Sequence, residues 1–289
     1  MATEQISLQG KTLLISGASR GIGAAIARRV AADGANVALL SRTSEARDGV
    51  RGTVYTTAEE VAAAGGRALP VLFDVRDDAQ VRSAIQKTVR AFGGIDLVVA
   101  NAGDTRLLRT PKTQVEDFDA LLETNLRGTW LLVTEALPLL QASDHPQVLA
   151  LAPPPSLEEK WLKPHLAYTV SKMGVSLLIR GWAAELGRKG IGFSALWPRT
   201  AIATATVESI GGERMVSRAR RPEIMGEAAR AVLRRSPKEV SGRFFIDDLV
   251  LAEEGVQDFD RFALNPGGRL QPDFFLPQDL PKLEDVVKR

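Results

Sequence analysis

The chain has 289 residues, enough for one large α/β domain or two small ones, and its 45% hydrophobic and 25% charged residues are typical of a globular protein with a buried core. The 37 basic and 35 acidic residues are too evenly balanced to attract nucleic acid over a distance. The absence of cysteine excludes disulfides, thiolate catalysis and zinc–thiolate sites, and the only histidines, His145 and His165, are too far apart for a local metal-binding pair.

Apolar strands and helices alternate along most of the chain. In chain order, the predicted elements are strand 12–16, helix 22–32, strand 36–40, helix 55–64, strand 68–73, helix 77–92, strand 95–100, helix 118–140, strand 147–151, helix 168–187, strand 191–197, helix 223–235 and strand 243–246. Continuous apolar strands separated by helices are typical of parallel βαβ units covered on both faces. The sequence therefore predicts an α/β fold, a doubly wound Rossmann-type parallel sheet of about seven strands.

The alternating pattern weakens after residue 248. We therefore predict a single dinucleotide-binding domain over residues 1–248 and an irregular C-terminal extension over residues 249–289. The extension carries several prolines and the aromatic residues Phe259, Phe262, Phe274 and Phe275. These side chains favour packing of the extension on the domain or on a dimer partner.

A glycine-rich loop, SGASRGIG at residues 16–23, joins the first strand to the first helix. Gly17, Gly21 and Gly23 allow a tight turn and a close approach of the backbone to a pyrophosphate, and the helix N-terminus supplies free N–H groups. Ser19, Arg20 and Ile22 lie in the same loop. A plain glycine-rich turn is the alternative, but the position between a strand and a helix favours a dinucleotide site.

The end of the second strand holds Ser41 and Arg42, where NAD-binding sites carry an acidic residue for the ribose 2′-hydroxyl. With Arg20 in the glycine loop, two guanidinium groups and no carboxylate favour a 2′-phosphate. We therefore expect NADP(H) rather than NAD(H). The alternative is that Arg42 is a solvated loop residue.

The ends of the third and fourth strands complete the predicted cofactor site. Asp74, followed by Val75, either accepts from an adenine amino group or caps the helix that begins near residue 77. Asn101, Ala102 and Gly103 are small enough to let a flat ring pass, although they also suit a tight turn.

Taken together, these motifs resemble the short-chain dehydrogenase/reductase family. The matching residues are SGASRGIG, the NAG at 101–103, Asn125, the YTVSK at 168–172 and Pro198, and the resemblance covers about residues 8–248. It implies hydride transfer between a nicotinamide and a carbonyl or secondary alcohol. The segments APPPSLEEK, WPRTAIATA, GRFFIDD and LNPGGRLQPDFFLP resemble a narrower subgroup in which a sterol-carrier-type domain can follow; we expect none here.

Tyr168 and Lys172 are four residues apart and share one face of the predicted helix. A tyrosine can supply the proton that the carbonyl oxygen gains, but its ordinary pKa of ~10 is high, and a neighbouring ammonium is expected to lower it. The resemblance further implies that Lys172 binds the nicotinamide ribose. It also implies that Asn125 kinks its helix and holds a relay water.

The family's usual serine has no clear counterpart. Counting back from Tyr168 gives Pro155 or Ser156, and counting forward from the fifth strand gives Ala152 or Pro153. Only Ser156 offers a hydroxyl, which either turns into the site or faces solvent. The expected function is an oxidoreductase with Tyr168 as general acid/base. The alternatives are an NADP(H)-binding protein with weak or no catalysis and an interaction protein whose aromatic tail binds a partner.

The segment after the sixth strand is expected to cover the substrate. By resemblance, Ile202 contacts the carboxamide of nicotinamide, Thr204 contacts the cofactor phosphates and Pro198 also binds the cofactor, although Arg199 replaces the family's usual glycine. The following insertion would form a lid with a hinge at 211–212. The arginines in or near it indicate either a solvated face or an anionic substrate: Arg214, Arg218, Arg220 and Arg221.

The remaining expectations concern partners and location. The substrate is expected to be a small carbonyl or alcohol, lipid-like in character. The resemblance implies a homodimer or homotetramer through residues 118–140 and 166–188. There is no secretory signal and no apolar run near the ~18 residues of a membrane span, so cytoplasm is the expected compartment. His165, three residues before Tyr168, is expected to be a surface loop residue, and the alternative is that it faces the site.

Overall fold

The computed structural model describes residues 5–45 and 52–287. Its centre is a sheet of parallel strands in the order β3-β2-β1-β4-β5-β6-β7. The strands are β1 Thr12–Ser16, β2 Asn36–Ser41, β3 Arg67–Leu72, β4 Leu97–Ala100, β5 Gln147–Ala150, β6 Gly192–Trp197 and β7 Phe244–Ile246. The predicted fold class and all seven strands are confirmed, with ends that differ by two residues at most.

Helices cover both faces of the sheet. They are α1 Gly21–Ala31, α2 Val54–Ala63, α3 Asp78–Phe92, α4 Val115–Leu121, α5 Gly128–Leu140, α6 Glu159–Leu162, α7 Leu166–Leu186, α8 Ala205–Val216, α9 Glu223–Leu233, α10 Pro237–Val240, α11 Asp247–Glu253 and α12 Leu283–Val287. The helix predicted over 118–140 begins earlier, at Val115, and a π-helical segment, Leu122–Arg127, separates α4 from α5. The sequence pattern missed α6, α8 and α10–α12, most of which are too short to show a clear periodicity.

Two apolar cores fill the spaces between the sheet and its helices. The β-strand side chains on one face pack against α1, α2, α9 and α11 through residues such as Ile26, Ile224 and Leu251. Those on the other face pack against α3, α5 and α7 through Val81, Leu132 and Ile179. Helices therefore exclude water from both faces of the sheet. This explains why the sequences of the central strands are continuous apolar runs.

Local signals set the limits of the helices around the site. Thr53 caps α2 through a reciprocal capping box with Thr56. The Asp77 carboxylate caps α3 by accepting from the backbone N–H groups of Ala79 and Gln80. The alternative in which Asp74 caps this helix is therefore wrong, because Asp77 occupies that position.

The C-terminal extension folds back onto the domain. Ala201 N donates to Gln271 O at 2.8 Å and Asp273 N donates to Arg199 O at 3.0 Å, so residues 271–273 run antiparallel to the segment after β6. Phe275 is fully buried in a third apolar cluster with Leu121, Tyr168 and Trp197. This packing on its own domain removes the main support for an aromatic tail that binds another protein.

No helix within the described ranges is long and apolar enough to cross a membrane.

Phe275 should contribute strongly to stability. Its ring contacts Trp161, His165 and Trp197, and Phe275→Ala should lower the free energy of unfolding by about 3–5 kcal/mol, because truncating a buried aromatic leaves a cavity. Urea denaturation measures the change. Leu157→Ala, at a side chain 88% exposed, is the control and should change little. A loss below ~1 kcal/mol for Phe275→Ala would contradict the packing described.

Candidate functional site

A cavity of about 350 Å³ opens at the carboxyl ends of the strands, beside the point where the strand order reverses between β1 and β4. This is the usual ligand position in a doubly wound sheet. Many residues predicted for the site line it: Gly17, Ser19, Arg20, Gly21, Ile22, Gly23, Asn101, Ala102, Gly103, Tyr168, Lys172, Pro198, Ile202 and Thr204. The fold therefore brings together fourteen of the residues that the sequence predicted for the site.

The glycine loop has the backbone geometry that its sequence suggests. Gly17 and Gly21 adopt positive φ angles of 67° and 55°. Residues that carry a Cβ atom rarely adopt this conformation. A Cβ on Gly23 would lie 2.3 Å from Gly17 O, so only glycine fits there. The loop is thus compressed against the start of α1.

Asn101 fixes this loop to the neighbouring strand end. Its Nδ2 donates to Ser16 O and Gly17 O, both at 3.0 Å, and the Ser16 hydroxyl accepts from the backbone N–H of Ala102. The loop after β1 and the loop after β4 are therefore held as one rigid cradle. Asn101 lines the cavity and supports its wall at the same time.

The cradle fits a dinucleotide. α1 begins without a side-chain cap, so its first backbone N–H groups can donate to a phosphate at the positive end of the helix dipole. Thr204, at the start of α8, faces the same loop: a Cβ on Gly21 would lie 3.1 Å from its Cγ2. The glycine loop and Thr204 would hold the pyrophosphate, and Pro198 and Ile202 would border the nicotinamide.

A smaller cavity adjoins the first one at the end of β2. Ser41, Arg42, Phe73 and Val75 line it together with Gly17. The Arg42 side chain is 61% exposed and its Nη1 lies 3.6 Å from the Asp74 carboxylate. The Arg20 guanidinium donates to the Thr43 hydroxyl at 2.7 Å, so two arginines flank this cavity.

Asp74 does not line either cavity. Its carboxylate accepts from the Arg76 guanidinium at 2.7 Å, and this bond holds the pKa of Asp74 below its ordinary value. The contact between Asp74 and an adenine amino group stays a prediction, although both carboxylate oxygens already accept from Arg76.

Tyr168 lies on the first turns of α7 and is buried against Phe275. Burial raises the pKa of its phenol above the ordinary value, the Asp273 carboxylate raises it further, and a hydrogen bond with Thr105 opposes the change. The sequence led us to expect a lowered pKa from the neighbouring Lys172. The structure gives the opposite direction, because the loss of hydration dominates.

Lys172 is one helical turn after Tyr168 and lines the same cavity. Its ammonium donates to Leu151 O at 2.5 Å and lies 5.2 Å from the centre of the Trp197 ring. Burial lowers the pKa of Lys172 to about 8, although the Asp273 carboxylate opposes the shift. Its charge therefore titrates near neutral pH.

Asn125 is buried in the π-helical segment rather than in the cavity wall. Its Oδ1 accepts from Asp104 N at 2.7 Å, while its Nδ2 donates to Asp104 O and to the Ser171 hydroxyl. Asn125 therefore links the loop after β4 to α7. The π-helical segment interrupts the helix at Asn125, as the resemblance implied, and its role in holding a relay water stays a prediction.

Ser156 also lies outside the cavity lining. Its hydroxyl donates to the Glu158 carboxylate and accepts from Glu158 N, in a loop ahead of α6. The cavity lining includes Leu151 and Tyr168 but neither the prolines at 153–155 nor Ser156. The prediction of a catalytic hydroxyl at Ser156 is therefore not supported by the structure.

Asp273 was missed by the sequence reasoning. It belongs to the C-terminal extension, 105 residues after Tyr168, yet it lines the cavity with Tyr168 and Lys172. Burial raises the pKa of its carboxyl group to about 7. The resemblance to a subgroup included this stretch, LNPGGRLQPDFFLP, but no local pattern marked the aspartate as a site residue.

Arg199 and Arg220 anchor the extension. Both guanidinium groups donate to the buried Asp248 carboxylate, at 2.6 and 2.9 Å. The run of arginines after β6 is therefore not one basic surface, because Arg220 is 3% exposed while Arg214 and Arg221 face solvent. His165 is likewise buried, at 4% exposure, and not a surface residue as predicted.

α8 lies over the cavity, where the sequence predicted a lid. Thr206, Val207 and Ile210 contribute to the lining, and none of the helix's residues is buried. Gly212 breaks the helix with φ 59° and ψ −166°. The chain therefore bends near the predicted hinge at 211–212.

Comparison with known proteins agrees with this geometry. A family model described as short chain dehydrogenase matches residues 11–214. The chain belongs to the short-chain dehydrogenase family. Members are oxidoreductases that use nicotinamide cofactors, as the cradle around Gly17 and Gly23 suggests.

Curated relatives in this family include hydroxysteroid dehydrogenase-like protein 2 from several vertebrates. The Rattus norvegicus protein is 45% identical over 94% of this chain, and the Homo sapiens protein is 43% identical over 94%. The chain spans 51% of the former and 64% of the latter. The similarity to this subgroup, expected from the sequence, is confirmed.

Solved structures in the same family match almost the whole chain. A candidate dehydrogenase from Xanthomonas campestris is 45% identical, with a TM-score of 0.91 over 94% of this chain and 100% of that chain. A short chain dehydrogenase from Mycobacterium thermoresistibile is 42% identical, with a TM-score of 0.89 over 95% and 98%. A Mycobacterium paratuberculosis dehydrogenase bound to NAD shares the fold at 24% identity, with a TM-score of 0.70 over 83% and 97%.

Proposed function

We propose that the protein is an NADP(H)-dependent oxidoreductase that interconverts a carbonyl and a secondary alcohol, with Tyr168 as general acid/base. The observation that carries this proposal is that Tyr168 and Lys172 share one cavity with the glycine loop. Bound there, the nicotinamide would supply or accept the hydride. The chain's residues bind the reactants and move the proton.

Tyr168 is well suited to donate a proton. Because burial raises the pKa of its phenol, the hydroxyl keeps its proton at neutral pH and can give it to the substrate oxygen as that oxygen gains charge. The Lys172 ammonium stabilises the phenolate that remains. As the pH rises through about 8, Lys172 loses this charge and its support of the phenolate declines.

The substrate is proposed to be hydrophobic, with a lipid-like body. Trp197, Ile202 and Ile210 line the cavity, and Leu151 and Phe274 add further apolar surface. Such walls favour a substrate that presents one polar oxygen and a larger apolar remainder. Arg214, on α8, and Arg221 are exposed and offer cations to an anionic part of a larger substrate.

A second candidate function is a protein that binds NADP(H) with weak or no turnover. The observation that favours it is the displacement of Ser156 from the cavity, since this removes the hydroxyl that would hydrogen-bond the substrate oxygen. Tight NADPH binding in calorimetry without turnover of any aldehyde or ketone would support this candidate. Turnover that depends on Tyr168 would exclude it.

Tyr168→Phe should remove most of the activity. The change deletes the proton donor and should lower kcat by ~10²–10⁴-fold while leaving NADPH affinity nearly unchanged. NADPH oxidation across a panel of aldehydes and ketones measures the rate. Tyr55→Phe, at the only other tyrosine, which is 46% exposed, is the matched control. Unchanged kcat in Tyr168→Phe would remove Tyr168 from the mechanism.

The preference for NADP(H) is proposed from two arginines near the end of β2, Arg42 directly after the strand and Arg20 in the glycine loop. Arg42 and Arg20 flank the smaller cavity, and the segment Ser41–Thr43 offers no carboxylate to a ribose 2′-hydroxyl. A 2′-phosphate would gain charge-assisted hydrogen bonds there.

Arg42→Asp should reverse this preference. The substitution removes a cation and adds the carboxylate that NAD sites use, so the ratio of kcat/KM for NADPH to that for NADH should fall by at least ~10-fold, or about 1.4 kcal/mol. Steady-state kinetics with each cofactor give the ratio. Arg214→Asp, an exposed arginine on α8, makes the same charge change and should leave the ratio as it is. An unaltered ratio of kcat/KM for NADPH to that for NADH in Arg42→Asp would show that Arg42 does not bind the 2′-phosphate.

The chain is further proposed to form a homodimer or homotetramer through the face built by α4, α5 and α7. Trp130 is 50% exposed and Leu177 is 65% exposed, and Leu126, Trp130 and Leu178 line an apolar groove. Exposed apolar surface of this kind commonly marks an interface.

Leu177→Glu should weaken this assembly. A carboxylate in the centre of an apolar interface loses its hydration without gaining a partner, so the particle mass should fall toward that of one chain. Size-exclusion chromatography with light scattering measures the mass. Leu157→Glu, an exposed leucine outside this face, is the control. A wild-type mass of one chain, or no change in Leu177→Glu, would contradict the interface.

A further inference from the structure

Asp273 brings a carboxyl group into the cavity from a part of the chain that lies outside the matched family region, residues 11–214. Among the described residues, the segment after β5 brings no serine hydroxyl into the cavity, because Ser156 bonds to Glu158 and Ala152 and Pro153 follow β5. The hydroxyl next to Tyr168 is that of Thr105, which hydrogen-bonds to the phenol. Asp273 and Tyr168 line the same cavity. The Asp273 carboxylate is also close enough to raise the pKa of the Tyr168 phenol, so it can offer a second donor to a substrate oxygen that contacts Tyr168.

The backbone around Asp273 is fixed from both sides. Asp273 N donates to Arg199 O at 3.0 Å, and the next residue's carbonyl, Phe274 O, accepts from the Trp197 indole at 2.8 Å. Phe275 is fully buried under Tyr168 and Trp197. These contacts hold the carboxyl group against the cavity rather than leaving it on a mobile tail.

The two carboxyl oxygens of Asp273 have different surroundings. Oδ1 accepts from the backbone N–H of Phe274 at 2.6 Å. Within the described residues, Oδ2 has no hydrogen-bond partner in the protein, and the side chain lines the cavity. Since Oδ1 is held as an acceptor, a proton on this group would reside on Oδ2, the oxygen left for a ligand.

The charged groups around Asp273 allow it to be neutral. Lys172, the nearest cation, donates its hydrogen bond to Leu151 O, and it forms no ion pair with Asp273 among the described residues. The Arg199 side chain is bound to Asp248, and Asp104 across the cavity pairs with Arg106. His165 touches the neighbouring Phe274 ring through its own ring, and burial lowers its pKa. Burial raises the pKa of Asp273 to about 7, so both of its forms are populated at neutral pH.

We propose that Asp273 is a further catalytic residue, whose protonated carboxyl group donates a hydrogen bond from Oδ2 to the substrate carbonyl oxygen in place of the missing serine. This inference rests on the proposed oxidoreductase function. In the reduction, the carbonyl carbon gains the hydride, the carbonyl oxygen takes the proton of the Tyr168 hydroxyl, and Asp273 keeps its own proton throughout. Ionised Asp273 repels the developing negative charge, so the rate of reduction should fall as the pH rises through about 7.

Two substitutions separate this role from a structural one. Asp273→Ala removes the donor and should lower kcat by ~10²–10³-fold, the usual cost of losing one oxyanion donor. Asp273→Asn keeps an acceptor for Phe274 N and a donor towards the cavity. It should therefore retain most of the wild-type kcat and lose the decline in rate near pH 7. NADPH affinity and the unfolding midpoint of both variants should match the wild type.

The test is the pH profile of kcat for the wild type and both variants, on the ketone from the substrate panel that reacts fastest. Turnover that depends on Tyr168, together with unchanged kcat and pH profile in Asp273→Ala, would overturn the role of Asp273 and leave the proposed function standing. An Asp273→Asn variant as slow as Asp273→Ala would also overturn it, because the carboxylate charge rather than the donor would then be needed.

A binding measurement tests the contact between Asp273 and a ligand even if the wild type shows no turnover. Acetophenone is titrated by calorimetry into the wild type and both variants, each saturated with NADP⁺. The proposal predicts that the affinity of the wild type for acetophenone weakens as the pH rises, whereas that of Asp273→Asn stays constant with pH. The affinity of Asp273→Ala should be lower than that of the wild type by ~10-fold or more. That pattern without turnover would refute the oxidoreductase function and keep the ligand contact of Asp273. No binding, or binding equal in all three proteins, would refute the contact itself.

Discussion

The short antiparallel pairing between residues 199–201 and 271–273 is the contact on which the distinctive part of this site depends. Two backbone hydrogen bonds, Asp273 N to Arg199 O and Ala201 N to Gln271 O, join the C-terminal extension to the segment after β6. The buried Asp248 carboxylate reinforces the join, because it accepts from both Arg199 and Arg220. Leaving Asp248 without these partners would bury an unpaired charge, so the ion pairs and the strand pairing stabilise one arrangement together.

This pairing also connects three departures from the usual family sequence. Arginine replaces glycine after Pro198, and Arg199 supplies both the carbonyl that pairs with Asp273 and the guanidinium that binds Asp248. Ser156, which follows the prolines after β5, lies outside the cavity lining, whereas Asp273 of the extension lies in it. Within the proposed mechanism, the carboxyl group of Asp273 therefore takes the role of the hydroxyl that Ser156 does not supply.

Much of the fold could be predicted because its signals are local. The apolar strands match the observed limits closely, since strands buried on both faces must be apolar throughout. The glycine loop was also predictable, because a strand followed by Gly17, Gly21 and Gly23 has few other uses. Two predicted site residues lie outside the cavity linings. Asp74 bonds to Arg76 and Ser156 to Glu158, so in each case a neighbour two residues along the chain provides the hydrogen-bond partner.

The sequence by itself determined the alternation of strands and helices, the dinucleotide cradle and the pairing of Tyr168 with Lys172 on one helix, because each depends on residues close together in the chain. Tertiary structure alone decided the electrostatics of the site. Burial raises the pKa of Tyr168 and lowers that of Lys172, and neither direction follows from spacing. The position of Asp273 likewise depends on contacts across more than seventy residues, which no local pattern records.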